Sequence, residues 1–384
     1  MKQVKGTPVK PHYGGDFATI KPFAKDQNIP AICAAVGVLL VLVLILLFGQ
    51  SRSAQTATVG NAPAAKQTQA KEAITQKGGA VEVPSNKDSY NVDSTVIIQG
   101  NRAMEIFSVS QKWLTRYGED INAFAATVPN TKVYVLLAPT SVEFYGPDDY
   151  KTKNHLFETA VDYAYTPMKA SNIITIDCRD TLARHVDEYI YLRTDHHWTA
   201  TGAYYAYVTF CRAAGLDAPK LSEYKSGEIE GFVGSLYSKT QEAVLKNNPD
   251  TVKYYFPLTE STGHAYNTAE LTGGRNAKVV NPTVSSKYAY LCFIEGDNPI
   301  LKYDTANKNG KSILMVKESY GNAFAPFLTD NYETVYVVDP RKVDLNLTSF
   351  VQQQGIDDVL FLNYAFAPSN PTYRRAFEKM LGVQ

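Results

Sequence analysis

The stretch "KSILMVKESYGNAFAPFLTDNYETVYVVDP" (311–340) decides the fold. It opens on an apolar run, "SILMV" (312–316), and closes on another, "TVYVV" (334–338). Short unbroken apolar runs are the mark of strands buried on both faces. Between them a helix is predicted around 321–331. Strand, helix and strand in so short a span form a crossover unit, and such units build parallel sheets with helices on their faces. The rhythm extends outward. "KVYVLLAPT" (132–140), "NIITIDC" (172–178) and "DDVLFLNY" (357–364) read as further buried strands, and "STVIIQG" (94–100) as another strand. Helical spacing covers 103–128, in one piece or in two around Gly118, then 153–169, 199–214, 346–354 and 372–381. Gly215 stops the 199–214 helix.

Residues 216–309 break this rhythm. They are rich in Gly, Tyr, Thr and Asn, with short runs such as "TVKYYFPL" (251–258) and "YAYLCFI" (288–294). They read as a β-rich insertion in an α/β domain.

The N-terminal part has a different character. "IPAICAAVGVLLVLVLILLF" (29–48) carries no charge over twenty residues. As a helix this spans about 30 Å, the thickness of a bilayer's hydrocarbon core. Lys2, Lys5, Lys10, Lys21 and Lys25 precede it, and Arg52 follows closely. Positive charge stays on the cytoplasmic side, so a single-pass anchor with an extracellular C-terminal domain is expected. Small residues at Ser53 and Ala54 leave a cleaved signal peptide as the rival, but the apolar run is longer than a signal core. The expected organisation is a cytoplasmic tail at 1–28, an anchor at 29–48, a polar flexible linker at 49–88 and a folded domain at 89–384.

Charge and cysteine usage narrow the function. Lys plus Arg and Asp plus Glu both total 38, so the net charge is zero and nothing points to nucleic acid. Cys33 lies in the apolar run; Cys178, Cys211 and Cys292 allow one disulfide but no framework. Their spacing matches no zinc pattern.

Two segments carry candidate chemistry. In "LRTDHHWTATGAYY" (192–205), an extended backbone would put Asp195 and His197 on one side and turn His196 away. A carboxylate beside an imidazole fixes its tautomer and raises its basicity, which is the acid–base half of a triad. The plainer reading is a capping aspartate with two exposed histidines. A metal would need further ligands at suitable spacing, and none is present, so no metal or cofactor is expected. In "KESYGN" (317–322), Ser319 ends a buried strand, where open α/β sheets bind ligands. The N–H groups of Tyr320 through Asn322 could meet an oxyanion there. The plainer reading makes Ser319 a helix N-cap.

"YLRTDHHWTATGAYYAY" (191–207) and "ILMVKESYGNAFAPFLTDNYETVYVVDPRK" (313–342) together resemble the two hallmark segments of the DHHW family. That family is similar to the proteins that O-acetylate alginate and to SGNH hydrolases. The resemblance implies an SGNH-like three-layer α/β sandwich with a parallel sheet. It makes Asp195 the triad acid, His197 the base and Ser319 the nucleophile, with the serine last in the chain rather than first. It suggests Gly296 and Asn298 in "FIEGDNPI" (293–300) as oxyanion donors, with Asn322 as an alternative, although a β-turn also explains "GDNP". Arg341 matches an arginine after a strand in the family, and a salt bridge explains it equally well. The implied function is a membrane-anchored extracellular O-acetyltransferase modifying a cell-surface or secreted polysaccharide. Its partner would be a membrane-bound O-acyltransferase that delivers the acyl group. The alternatives are an acetyl esterase with the same triad and a non-catalytic polysaccharide-binding scaffold.

Overall fold

The apolar runs form strands, and their order places the candidate residues. The computed structural model describes residues 89–148, 150 and 156–383. The expected tail, anchor and linker at 1–28, 29–48 and 49–88 lie outside them. Among the described residues no helix is long and apolar enough to cross a membrane.

Three short antiparallel strands come first: β1 (Ser89–Asn91), β2 (Val96–Gln99) and β3 (Arg102–Glu105). Then come β4 (Lys132–Ala138) and β5 (Ile173–Ile176). The segment from 216 to 309 holds β6 (Ser226–Phe232), β7 (Asp250–Tyr255), β8 (Ser261–Tyr266), β9 (Arg275–Asn276) and β10 (Ile300–Thr305). The chain ends through β11 (Ser312–Lys317), β12 (Thr334–Val338) and β13 (Asp358–Tyr364). The main sheet has the order β5-β4-β13-β11-β12-β10-β8-β9. From β5 to β12 the neighbours are parallel. Beyond β12 they are antiparallel.

The insertion is therefore not a separate β unit. Its strands β10, β8 and β9 continue the main sheet and cover what would be the open edge of β12. Only β6 and β7 pair off by themselves. The run "YAYLCFI" does not form a strand. It falls largely in a 3₁₀ stretch, Ser286–Cys292. Ile294, Glu295 and Gly296 follow with φ of 47°, 56° and 80°, left-handed values that no strand accommodates.

Helices cover both faces of the sheet. Tyr134 of β4 pairs in register with Leu360 of β13, and Val135 with Phe361. Successive residues alternate sides, so Tyr134 and Phe361 face opposite ways. Tyr134 meets Phe210 of the helix Ala200–Ala214, with ring centroids 5.2 Å apart. Phe361 meets Phe124 of the helix Gln111–Thr127 at 5.5 Å and Phe377 of the helix Pro371–Leu381 at 5.6 Å.

Two helix boundaries differ from the sequence reading. The stretch 103–128 begins as strand β3, and its helix runs unbroken through Gly118. Glycine is needed there for packing, since a Cβ would lie 2.0 Å from the Ala164 carbonyl oxygen of the helix Leu156–Tyr165. The expected helix at 321–331 is two short pieces, a 3₁₀ turn at Ser319–Asn322 and a helix at Ala325–Leu328 with Pro326 in its first turn. So short a turn lends little dipole to the serine. The helix Ala200–Ala214 starts and stops as its sequence signals: the Thr199 hydroxyl accepts the Gly202 N–H, and Gly215 ends it at φ 69°. Cys178, Cys211 and Cys292 are all buried free thiols, so the disulfide that three cysteines allowed is not formed among them.

Candidate active site

The DHHW segment is a closed loop, not an extended strand. Tyr191 and Trp198 form an isolated antiparallel bridge, and residues 193–197 bend between them. Within the bend, Asp195 Oδ1 accepts the His197 backbone N–H at 3.0 Å and lies 2.6 Å from His197 Nδ1. The aspartate thus sets an Asx-type turn and grips the ring with the same oxygen. Its other oxygen accepts the Ser235 N–H at 2.8 Å.

The loop lies at the carboxyl edge of the sheet, where the Tyr191 hydroxyl donates to the Pro139 carbonyl just past β4 at 2.7 Å. Ser319 follows the end of β11. Its Oγ is 2.8 Å from His197 Nε2, across 122 positions of sequence. The structure therefore brings Asp195, His197 and Ser319 into one continuous chain of hydrogen bonds. Tyr320 ties the two segments together: its hydroxyl donates to the His196 carbonyl at 2.5 Å, and its carbonyl accepts the indole N–H of the fully buried Trp198 at 2.9 Å.

Electrostatics keep the acid of the pair charged. Burial alone would raise the Asp195 carboxyl. The facing His197 and His196 rings and the N–H donors of His197 and Ser235 outweigh it and hold Asp195 well below the usual carboxylate range. His196 does not point away as the extended reading implied. Its ring centroid is 3.8 Å from that of His197, and its Nδ1 is 2.7 Å from Ser235 Oγ. Burial, then the charge of His197, lower its pKa.

Asp195, His196 and His197 also have ligand atoms within 4.8 Å of one another. A tetrahedral ion needs its ligand atoms roughly 3.3 Å apart. Asp195 Oδ1 and His197 Nδ1 stand at 2.6 Å, a hydrogen bond with no room for an ion between them.

Most of the oxyanion candidates already have their donors engaged. The Tyr320 N–H donates to Glu318 Oε2 at 3.0 Å, and the Gly321 N–H to the Glu318 carbonyl at 2.9 Å. The Gly296 N–H donates to the Phe293 carbonyl at 2.9 Å. The Asn298 amide staples its own loop, donating to the carbonyls of Ile294, Glu295 and Gly296 at 3.1, 3.3 and 3.4 Å. Asn322 Nδ2 donates to Asp297 Oδ1 at 3.1 Å, which uses one of its two hydrogens. Arg341 forms the salt bridge: its guanidinium holds Asp339 at 2.6 Å and Asp297 at 2.8 Å, and fully buried Lys317 holds Asp297 from the other side at 2.8 Å.

Two residues of the site escaped the sequence reading. Tyr290 lays its ring on His197, with centroids 4.1 Å apart and planes 16° apart. It sits in the 3₁₀ stretch read as a strand, so no local signal marked it. Glu318 is 3% exposed, with Oε2 3.5 Å from Ser319 Oγ and Oε1 accepting the Tyr364 N–H at 2.9 Å. Burial pushes its carboxyl up to about 7. A charged pair, Lys317–Glu318, closing an apolar strand was the available signal.

A family model described as DHHW protein matches residues 79–338. A crystal structure of a DHHW family protein from Eubacterium siraeum is 32% identical, covers 76% of this chain and 97% of its own, and superposes with a TM-score of 0.69. PatB1 of Bacillus cereus is similar in fold: 16% identity, 74% of this chain, 98% of its own and a TM-score of 0.57. The same protein with a sulfonyl adduct gives a TM-score of 0.59 at 16% identity over 77% of this chain and 99% of its own. A search of curated proteins yields no match. The matched span and the identity to the Eubacterium siraeum protein place this chain in the DHHW family.

Proposed function

We propose that this chain is an O-acetyltransferase that modifies hydroxyls of a cell-surface or secreted polysaccharide through a Ser319–His197–Asp195 triad. The observation that carries the reading is the hydrogen-bond chain from Asp195 Oδ1 through His197 to Ser319 Oγ, at 2.6 and 2.8 Å. His197 Nε2 takes the Ser319 proton as Oγ attacks the acyl carbonyl, and the buried Asp195 carboxylate stabilises the imidazolium that forms. The second amide hydrogen of Asn322 is the remaining side-chain candidate for the oxyanion. Collapse of the tetrahedral intermediate leaves an acyl-serine, and the imidazolium proton goes to the leaving group. A sugar hydroxyl, deprotonated in turn by His197, then takes the acyl group and frees Ser319.

The uncharged run at 29–48 supports a single-pass anchor with this domain outside the membrane. Acetyl-CoA is made in the cytoplasm, so the acyl group must cross the bilayer. The family resemblance supplies a membrane-bound O-acyltransferase for that step, and the anchor would keep this domain beside it.

PatB1, which shares the fold, has been captured with a sulfonyl adduct. The test uses that reagent class. The chain is treated with a sulfonyl fluoride and, separately, with 4-nitrophenyl acetate as acyl donor. Ser319→Ala is expected to lose the adduct mass and about 10³-fold or more of ester turnover. If Ser319→Ala turns over as fast as wild type, the triad assignment fails. Adding an oligosaccharide separates transfer from hydrolysis: acetylated sugar supports the transferase, and acetate alone makes the protein an esterase.

A further inference from the structure

We propose that Asp250, acting through Thr194, is a positioning residue for the Asp195–His197 pair. The inference rests on the triad reading but concerns residues that the chemistry itself does not use. Asp250 opens β7 and is fully buried. Its carboxylate gathers five donors from one short stretch. Oδ2 accepts the Thr194 N–H at 2.8 Å and the Thr194 hydroxyl at 2.6 Å. Oδ1 accepts the Arg193 N–H at 3.0 Å, the Arg193 Nε–H at 3.3 Å and the Tyr189 hydroxyl. A buried carboxylate needs such donors, and Arg193 supplies its countercharge.

The opposite side of the same backbone faces a buried cation. Arg102, 4% exposed, donates from Nη1 to the carbonyls of Tyr191 at 3.1 Å and Leu192 at 3.0 Å. The Ala103 N–H of β3 donates to the Arg193 carbonyl at 2.9 Å. The backbone leading into Asp195 is therefore clamped, with its carbonyls on Arg102 and β3 and its N–H groups on Asp250.

Thr194 passes this constraint to the acid. Its hydroxyl, donating to Asp250, accepts the Gly234 N–H at 2.9 Å. Its carbonyl accepts the N–H groups of Leu236 and Tyr237 at 3.0 and 3.1 Å. The Ser235 N–H, between Gly234 and Leu236 in sequence, donates to Asp195 Oδ2 at 2.8 Å. Gly234 fits tightly, because a Cβ there would lie 2.3 Å from Asp195 Cβ. Asp250 is thus linked through Thr194 and the Gly234–Ser235 backbone to the second oxygen of Asp195. Every partner beyond Thr194 belongs to the inserted segment, with Asp250 itself 56 positions from Thr194. A triad tolerates roughly half an ångström of displacement, so an outer set of bonds this complete sets rate as well as shape.

Thr194→Val tests this in the full chain. It keeps the branched shape and removes only the hydroxyl. The kcat for 4-nitrophenyl acetate is expected to fall about 10- to 100-fold with KM little changed. Thr194→Ser, which restores the hydroxyl, is expected to recover most of it. Asp250→Asn turns an N–H toward donors and is expected to lose at least as much. The low-field proton resonance of the His197 Nδ1–H bonded to Asp195 is expected to broaden or vanish in Thr194→Val and to return in Thr194→Ser. That signal reads the Asp195–His197 contact whatever reaction the protein performs, so the positioning role and the triad reading fail separately. Wild-type kcat and an unchanged resonance in folded Thr194→Val and Asp250→Asn would overturn the proposal. So would a lower melting temperature with unchanged kcat per folded molecule, or failure of Thr194→Ser to restore a lost kcat.

Discussion

Glu318→Gln isolates one buried charge. Glu318 sits beside the nucleophile at 3% exposure, and burial lifts its carboxyl from 4.5 to about 7 against the opposing pull of the Tyr320 and Tyr364 N–H donors and the charges of Arg341 and His196. A raised carboxyl pKa means that the fold favours the neutral form. The stability that this preference contributes is fully present below about 4.5 and is lost as the pH rises through about 7. The shift corresponds to on the order of 3 kcal/mol. Glutamine is neutral at every pH and of nearly the same shape. Its amide cannot accept both N–H groups, which adds an offset that does not vary with pH. Denaturant unfolding of wild type and Glu318→Gln from pH 4.5 to 9 gives two stability curves. Their difference, variant minus wild type, is expected to rise by about 3 kcal/mol across that range, most steeply near and below neutral pH. A flat difference curve would refute the reasoning, since Glu318 would then ionise in the fold as readily as in the unfolded chain.

His196→Ala removes a ring that stacks on His197 and bonds Ser235, but it leaves the proton path from Ser319 through His197 to Asp195 in place. Its kcat is expected to fall by about 10-fold at most in the ester assay; a loss matching that of Ser319→Ala would mean that the proton takes another route. Gly118→Ala forces a methyl to within 2.0 Å of the Ala164 carbonyl, so the two helices must part. Chemical unfolding should show a loss of about 2–3 kcal/mol with ester turnover per folded molecule unchanged, and an unaltered midpoint would show that the helices slide apart freely.

Much of the frame is legible locally. The runs at 312–316, 334–338 and 359–362 read as strands covered on both sides, and they pair as β11, β12 and β13. Thr199 and Gly215 delimit their helix through bonds within a few residues. Asp195 and His197 meet because they are two positions apart, even though the backbone bends where an extended one was expected. Where the reading failed, distant contacts had decided. Tyr290 reaches His197 from a 3₁₀ stretch whose alternating residues mimic a strand. The donors of Tyr320, Gly296 and Asn298 looked suited to an oxyanion by type alone, yet each is already bonded within its own turn.

By itself, the sequence determined the buried runs that became β4, β5, β11, β12 and β13, a loop with a carboxylate two positions from an imidazole, and a serine that follows a buried strand. These depend on periodicity and on bonds between near neighbours. The tertiary structure alone decided that the serine lies 2.8 Å from an imidazole 122 positions earlier, and that Asp250 clamps the loop from the inserted segment. It also decided that Glu318 titrates near neutrality. Proximity across such separations and the removal of water around a charge exist only once the layers have packed, so no short window of residues contains them.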